Sequence, residues 1–174
     1  MAINNLSIQY DAYVQNGKIQ NDSAQREVLA ALQTLELALA PAIQEKPSLI
    51  KKLFQKPQEI IPAKSIYIWG GVGRGKSMLV DLFFENIAIE GKRRVHFHAF
   101  MQEIHARIHH FRQDGIRDKR GTDPVMRLTK EIASDTKLLC FDELQATDVA
   151  DATLLFRLFE GLFEAGVIIV STSN

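Results

Sequence analysis

Gly70-Gly71-Val72-Gly73-Arg74-Gly75-Lys76-Ser77 decides how the rest of the chain is read. The octet matches G-x-x-x-x-G-K-[ST]. It lies between a β-rich run, Ser65-Ile66-Tyr67-Ile68-Trp69, and an apolar stretch, Met78 to Ala88, that reads as a helix. Strand, glycine loop and helix in that order are the context a phosphate-binding loop requires. Glycines let the backbone curl so that successive N–H groups converge on phosphate oxygens, and the following helix adds its positive dipole end. In this reading Lys76 reaches the β- and γ-phosphates and the Ser77 hydroxyl ligates Mg2+. Gly70, Gly71, Val72, Gly73, Arg74, Gly75, Lys76, Ser77 and Met78 make up the nucleotide-binding segment. A glycine-rich surface turn is the competing reading, disfavoured by the full motif with both flanks in place.

Downstream the same alternation continues. Arg94–His98 is expected as a second strand, followed by a helix from about Phe100 to Phe111 and a polar loop, Asp114 to Thr122. Asp123-Pro124 supplies a cap and a first-turn proline for a helix to about Ala133. A strand at Lys137–Phe141, a helix at Asp148–Glu164 stopped by Gly166, and a strand at Val167–Val170 complete the pattern. The fold predicted is α/β, a parallel sheet with helices on both faces.

Leu138-Leu139-Cys140-Phe141-Asp142-Glu143 is an apolar run ending in two acids. In a parallel sheet, ligands gather at the carboxyl ends of the strands. There Asp142 would orient Mg2+ and its waters, and Glu143 would serve as general base or water-positioning residue. Asn174, at the end of Ser171-Thr172-Ser173-Asn174, is assigned to the γ-phosphate, because a carboxamide both donates and accepts. Capping of the next turn, for the acids, and a plain polar tail, for Asn174, are the alternatives.

Upstream, residues 1–63 differ in character from residues 64–174 and are read as a separate helical and extended region. Asp22 or Ser23 is expected to cap a helix reaching about Ala40. Pro41, Pro47, Pro57 and Pro62 then punctuate a segment in which Leu49-Ile50-Lys51-Lys52-Leu53-Phe54 reads as a short helix.

Composition sets the outer limits. The 174 residues are 46% hydrophobic and 24% charged, so a core can form and disorder is disfavoured. Lys+Arg and Asp+Glu both number 21, giving zero formal charge and no global signal for nucleic acid. The single cysteine, Cys140, excludes an internal disulfide and a four-cysteine zinc site, and fits a cytoplasmic location. Met1 to Tyr10 carries neither a basic residue nor a long apolar run, unlike a leader peptide. His96, His98, His105, His109 and His110 cluster, with His105 and His109 at i, i+4, but no accompanying Cys or H-E-x-x-H glutamate supports a metal. His96 and His98 are expected on one strand face. Residues 92–120 hold eight basic side chains against three acidic ones, read as a solvated face with lipid, nucleic acid or a neighbouring subunit as alternatives.

GGVGRGKS, LLCFDE and VIIVSTSN, in that order, resemble the Walker A, Walker B and sensor-1 elements of an AAA+ ATPase. The text between them, GGVGRGKSMLVDLFF, KRRVHFHAFM and LLCFDELQATDVADA, is similar to that of the ZapE-like ATPases, bacterial division-associated proteins with mitochondrial relatives. Tyr10, Val14, Gly17, Asp22 and Gln25 also fall where that family has a similar N-terminal pattern. The resemblance implies a P-loop three-layer sandwich with strand order 5-1-4-3-2 and an oligomeric ATPase using ATP and Mg2+. It further implies a place in the cytoplasm at the periphery of the inner membrane, with the division protein FtsZ as partner. The family continues past sensor 1 into an arginine finger, a fifth strand and a lid. A chain stopping at Asn174 is therefore expected to leave the first strand at a sheet edge and to bind nucleotide but hydrolyse it poorly. A nucleotide-gated interaction module with incidental hydrolysis is the alternative from another class. A small-molecule kinase is disfavoured by the water-activating acid.

Overall fold

The computed structural model describes residues 5–43, 63–118, 123–145 and 148–174. These residues fall into two compact units, one comprising the chain through Ile66 with Gly70–Glu90, the other Tyr67–Trp69 with Gly91–Asn174. The short helix expected at Leu49–Phe54 lies outside the described residues.

The first unit holds three helices, α1 (Asn5–Gln15), α2 (Ser23–Ile43) and α3 (Lys76–Asn86). Helix α2 starts where a capping acid predicts, since Asp22 Oδ1 accepts the Ala24 N–H at 2.8 Å. Its buried leucines, Leu29, Leu32, Leu35 and Leu39, recur at three- and four-residue spacing. Helix α1 has no counterpart in the sequence reading. It buries only Leu6 and Tyr10 completely while Ile8 stays exposed, too thin a stripe to register as amphipathic. Polar bonds hold it instead: Gln33 Nε2 donates to Ser7 Oγ (2.6 Å), Arg26 pairs with Asp11 (2.8 Å), and the amides of Gln9 and Asn86 exchange two hydrogen bonds (2.8 and 3.0 Å). Helix α3 begins two residues before the expected Met78 and ends two before Ala88, burying Leu79, Val80, Leu82 and Phe83.

The sheet has the order β1-β4-β3-β2, with β1 (Ile66–Trp69), β2 (Lys92–His96), β3 (Leu138–Asp142) and β4 (Ile168–Ser173). Strand β3 pairs in parallel with both β2 and β4, and each of its five residues is buried. Strand β1 lies at the edge, with Tyr67 and Trp69 exposed. Helices α4 (Phe97–Asp118), α5 (Pro124–Asp135) and α6 (Val149–Glu164) accompany the sheet in the second unit. Side chains alternate across a pleated strand, and the registers Val95↔Phe141 and Leu139↔Ile169 put these four residues on one face. That face forms one cluster with Phe97, Phe100 and Ile104 of α4, Leu128 and Ile132 of α5, and Leu158 and Leu162 of α6. Phe141 is its centre, edge-on to Phe97 and Phe100 and stacked on Phe159.

Several boundaries move from their expected places. Strand β2 runs Lys92–His96 rather than Arg94–His98, because its register with β3 ends at His96↔Asp142; Phe97 starts α4 at once. His98 therefore belongs to a helix, where it bonds Gln102, and does not share a strand face with His96. Helix α4 extends to Asp118, through residues expected in a loop. Strand β4 continues to Ser173, so Ser171, Thr172 and Ser173 are buried sheet residues rather than the start of a polar tail. Helix α6 buries Leu158 and Leu162, yet Phe156 and Phe163 are exposed, so core packing accounts for only one side of its apolar surface. No helix among the described residues is long and apolar enough to cross a membrane.

Gly91, at the entry to β2, has φ 73° and a carbonyl that accepts the N–H of Lys137 at 2.7 Å. A Cβ there would lie 2.6 Å from the Asp135 carbonyl oxygen. Gly91→Ala is expected to lower the unfolding free energy by about 2 kcal/mol or more, from left-handed strain plus backbone collision; urea denaturation showing a loss below about 0.5 kcal/mol would contradict it. Cys140 is buried, and burial pushes its thiol up to about 12. The thiolate is the reactive form, so a disulfide reagent at pH 8 should label less than about a tenth of the folded chain while labelling the urea-unfolded chain fully. Rapid labelling under native conditions would refute the assignment.

Candidate functional site

In the first unit, Gly70–Ser77 leaves the end of β1 and enters α3. Gly75, the residue before the helix, has φ 78° and Gly73 φ 76°, left-handed values that favour glycine. Between them Arg74 carries an exposed guanidinium, 3.9 Å from Asp22 Oδ2. Lys76 curls back over the loop, its Nζ donating to the carbonyls of Gly70 (2.7 Å) and Gly71 (2.9 Å). The ammonium thus stands within the turn that the glycines make. Ser77 is exposed in the first turn of α3, where main-chain N–H groups have no intrahelical partner. Lysine, glycine turn and helix N-terminus are thus assembled as an anion site demands. Met78, also assigned to the nucleotide segment, is half-buried one residue further into the helix.

In the second unit, Asp142 closes β3 and Glu143 follows it. Period-two alternation and the registers Arg94↔Cys140 and His96↔Asp142 set Arg94, His96, Cys140 and Asp142 on one face of the β2–β3 pair. The long Arg94 side chain runs along that face to Asp142, with Nε to Oδ2 at 2.8 Å and Nη2 to Oδ1 at 2.9 Å. This bidentate pair is largely buried. In the sequence Arg94 is only one of the basic residues of the 92–120 stretch. What identifies it is strand register, which depends on which residues pair.

Glu143 is the one non-glycine residue with positive φ among the described residues, at 56°. Thr172 of β4 holds it there: its hydroxyl oxygen accepts the Glu143 N–H (3.2 Å) and its carbonyl accepts the Leu144 N–H (2.7 Å). The Glu143 side chain is exposed while its backbone is fixed. A residue kept in this region by its surroundings is a candidate for function. Asn174 follows β4 directly and is exposed, two residues beyond Thr172, so the structure brings the ends of β3 and β4 together and Asn174 stands at the same end. Sequence alone does not single out Thr172, because a threonine in a polar tail carries no signal of its own.

Mg2+ prefers six oxygen ligands and keeps several waters. Among the described residues no group of three or more His, Cys, Asp or Glu is placed to hold a metal ion. Phosphate oxygens and water would have to complete the coordination, which suits the Ser77 hydroxyl as the direct protein ligand. Asp142 accepts Arg94 on both oxygens and keeps a lone pair on each, enough to bind a metal's water. Each of these oxygen donors, taken within its own unit, is of the kind that suits magnesium carried on a nucleotide. Of the histidines, His105 bonds Asp151 (2.6 Å) and His109 bonds Gln113 (3.0 Å).

A cavity of about 520 Å³ opens at the other end of the strands, lined by Gly91, Arg93, Arg107, Glu131 and Thr136 among others. Of its lining charges, Arg93 and Arg107 pair with Glu103, and Arg107 also with Glu131. Hydrogen bonds from Arg93 hold Glu103 below the usual carboxylate range, and bonds from Arg107 do so for Glu131. The stability these pairs contribute is present above the ordinary glutamate value and is lost as pH falls through the lowered one.

Arg94→Met removes the partner of a carboxylate that the fold buries. Unfolding stability at pH 7 should fall by on the order of 3 kcal/mol, with part of it recovered by adding Asp142→Asn. A single variant as stable as the parent would show that the pair does not hold the strand ends.

The model of the AFG1-like ATPase family matches residues 5–174. The Escherichia coli cell division protein ZapE is 34% identical over 174 residues, an alignment covering 95% of this chain and 44% of ZapE. Lactation elevated protein 1 homolog B from Danio rerio is 47% identical over 117 residues, 65% of this chain and 23% of that protein. The chain thus spans less than half the length of these relatives. Among solved structures, AMPPCP-bound DnaA from Aquifex aeolicus superposes with a TM-score of 0.53 at 17% identity, over 91% of this chain and 41% of that one, which shows a shared α/β P-loop fold. By sequence over nearly its whole length and by fold, the chain belongs to the AFG1-like ATPase family.

Proposed function

We propose that this chain binds Mg-ATP through Gly70–Met78 and carries the residues for its hydrolysis, as part of an ATPase that works on a protein partner. The observation that carries the reading is the loop itself, with left-handed Gly73 and Gly75, Lys76 folded into the turn, and Ser77 at the head of α3. Family membership and the AMPPCP bound by the structurally similar DnaA support a nucleotide over another anion.

Magnesium, when bound, would neutralise phosphate charge and be held by Ser77, with Asp142 accepting from its waters. Lys76 turns from the loop carbonyls to the β- and γ-phosphates. Glu143, its backbone fixed by Thr172, takes a proton from or orients the attacking water, and Asn174 bonds the γ-phosphate. In this proposal residues 64–174 form the ATPase core and residues 1–63 an accessory region. The likeness to the cell division protein ZapE favours a cell-division role; FtsZ as partner, self-assembly into an oligomer, and action in the cytoplasm at the inner membrane are further parts of this proposal.

A second reading, a nucleotide-gated interaction module, is favoured by Arg94, which engages both oxygens of Asp142. Glu143→Gln separates the two, because a motor loses its action on the partner while keeping ATP and a gated module keeps both.

Calorimetry should show Mg-ATP binding by the 174-residue chain that Lys76→Ala weakens at least about a hundredfold, the loss of a charge-assisted bond. Binding that does not depend on Lys76 would overturn the proposal.

A further inference from the structure

A chain of hydrogen bonds joins α1 and α2 to the phosphate loop. The Asp22 N–H donates to Tyr10 Oη at 3.2 Å, Tyr10 Oη donates to Gln25 Oε1 at 3.0 Å, and Gln25 Nε2 donates to the Arg74 carbonyl at 3.0 Å. The chemistry of its two ends fixes every direction in it. A backbone N–H only donates and a carbonyl only accepts, so the Gln25 amide must turn its NH2 to Arg74 and its oxygen to Tyr10. The Tyr10 hydroxyl, which accepts from Asp22, has its one proton left for Gln25. Tyr10 is fully buried, and the donor and acceptor of its hydroxyl are both used within the relay.

The last bond falls in the middle of the phosphate loop. A trans peptide is planar, with its C=O and the next N–H pointing in opposite directions. Pinning the Arg74 carbonyl towards α2 therefore aims the Gly75 N–H away from α2. Converging N–H groups are what such a loop offers to phosphate. Gln25 also guards the glycine itself, since a Cβ on Gly75 would lie 2.8 Å from Gln25 Nε2.

We propose that Gln25, oriented by Tyr10, is a positioning residue of the nucleotide site: it holds the Arg74–Gly75 peptide in its phosphate-binding orientation. The inference rests on the reading of Gly70–Ser77 as a nucleotide loop and extends the site to helices that precede it by some fifty residues in sequence.

Gln25→Glu keeps the shape of the side chain and deletes the donor. Titrating the 174-residue chain with Mg-ATP in a calorimeter should give a Kd about tenfold higher for this variant, the worth of one hydrogen bond. Its thermal midpoint should stay within about 3 °C of the parent, because surface-side changes of this kind cost little. Tyr10→Phe should raise the Kd about threefold, and the double variant should bind no more weakly than Gln25→Glu alone, because Tyr10 acts through Gln25. Gln33→Ala, which removes the α1–α2 bond to Ser7 without touching the loop, should leave the Kd unchanged. A Gln25→Glu variant that binds within twofold of the parent, additive effects of the two substitutions, or an equal loss in Gln33→Ala would each overturn the inference. If the parent chain itself fails to bind, or binds without Lys76, the nucleotide reading fails first.

Discussion

Every functional element of the second unit depends on the backbone pairing of β3 with a neighbour on each side. A strand buried on both faces has no water to satisfy its N–H and C=O groups, so its ladders to β2 and β4 are obligatory. Register follows from them, and register decides which side chains share a face. Val95, Leu139, Phe141 and Ile169 go one way into the aromatic and aliphatic core; Arg94, Cys140 and Asp142 go the other. One set of main-chain bonds thus places both a hydrophobic centre and a charged pair, and the pair closes at the end of β3.

The motifs are more legible in the sequence than the element boundaries are. The glycine loop, the acids after β3 and the alternation of strand and helix are written in short contiguous motifs, and the parallel four-stranded sheet bears out the α/β fold they imply. Helix α1 is invisible there because its attachments are polar bonds from Gln9, Ser7 and Asp11, which have no period to detect. The end of β2 is misplaced because Val95-His96-Phe97-His98 alternates as a strand should, and only pairing with β3 shows that the ladder stops at His96. Arg94 and Thr172 do not stand out as neighbours of the acids for the same reason: each acts from an adjacent strand, and adjacency between strands is not local in sequence.

The N-terminal pattern Tyr10, Asp22, Gln25 illustrates the converse. As a set of scattered residues it supports only a family likeness, with no chemistry attached. In the folded chain the three are consecutive links, and the first turn of α2 both caps itself on Asp22 and presents Gln25 to the loop. Residues with no shared periodicity become one device because the middle of α1 and the first turn of α2 meet a loop.

The grip of Thr172 on Glu143 has a mechanical side. Successive residues of β4 face opposite ways, so in the observed register Thr172 offers its hydroxyl to the Glu143 N–H; a slip of one residue would turn the core-facing side of β4, Ile169 with it, away from the hydrophobic cluster. The left-handed turn at Glu143 is then a gauge of how β3 and β4 are seated against each other. The strand that fixes the acid also leads into Asn174, so a pull on Asn174 is transmitted along a nearly inextensible backbone to the turn that carries the acid.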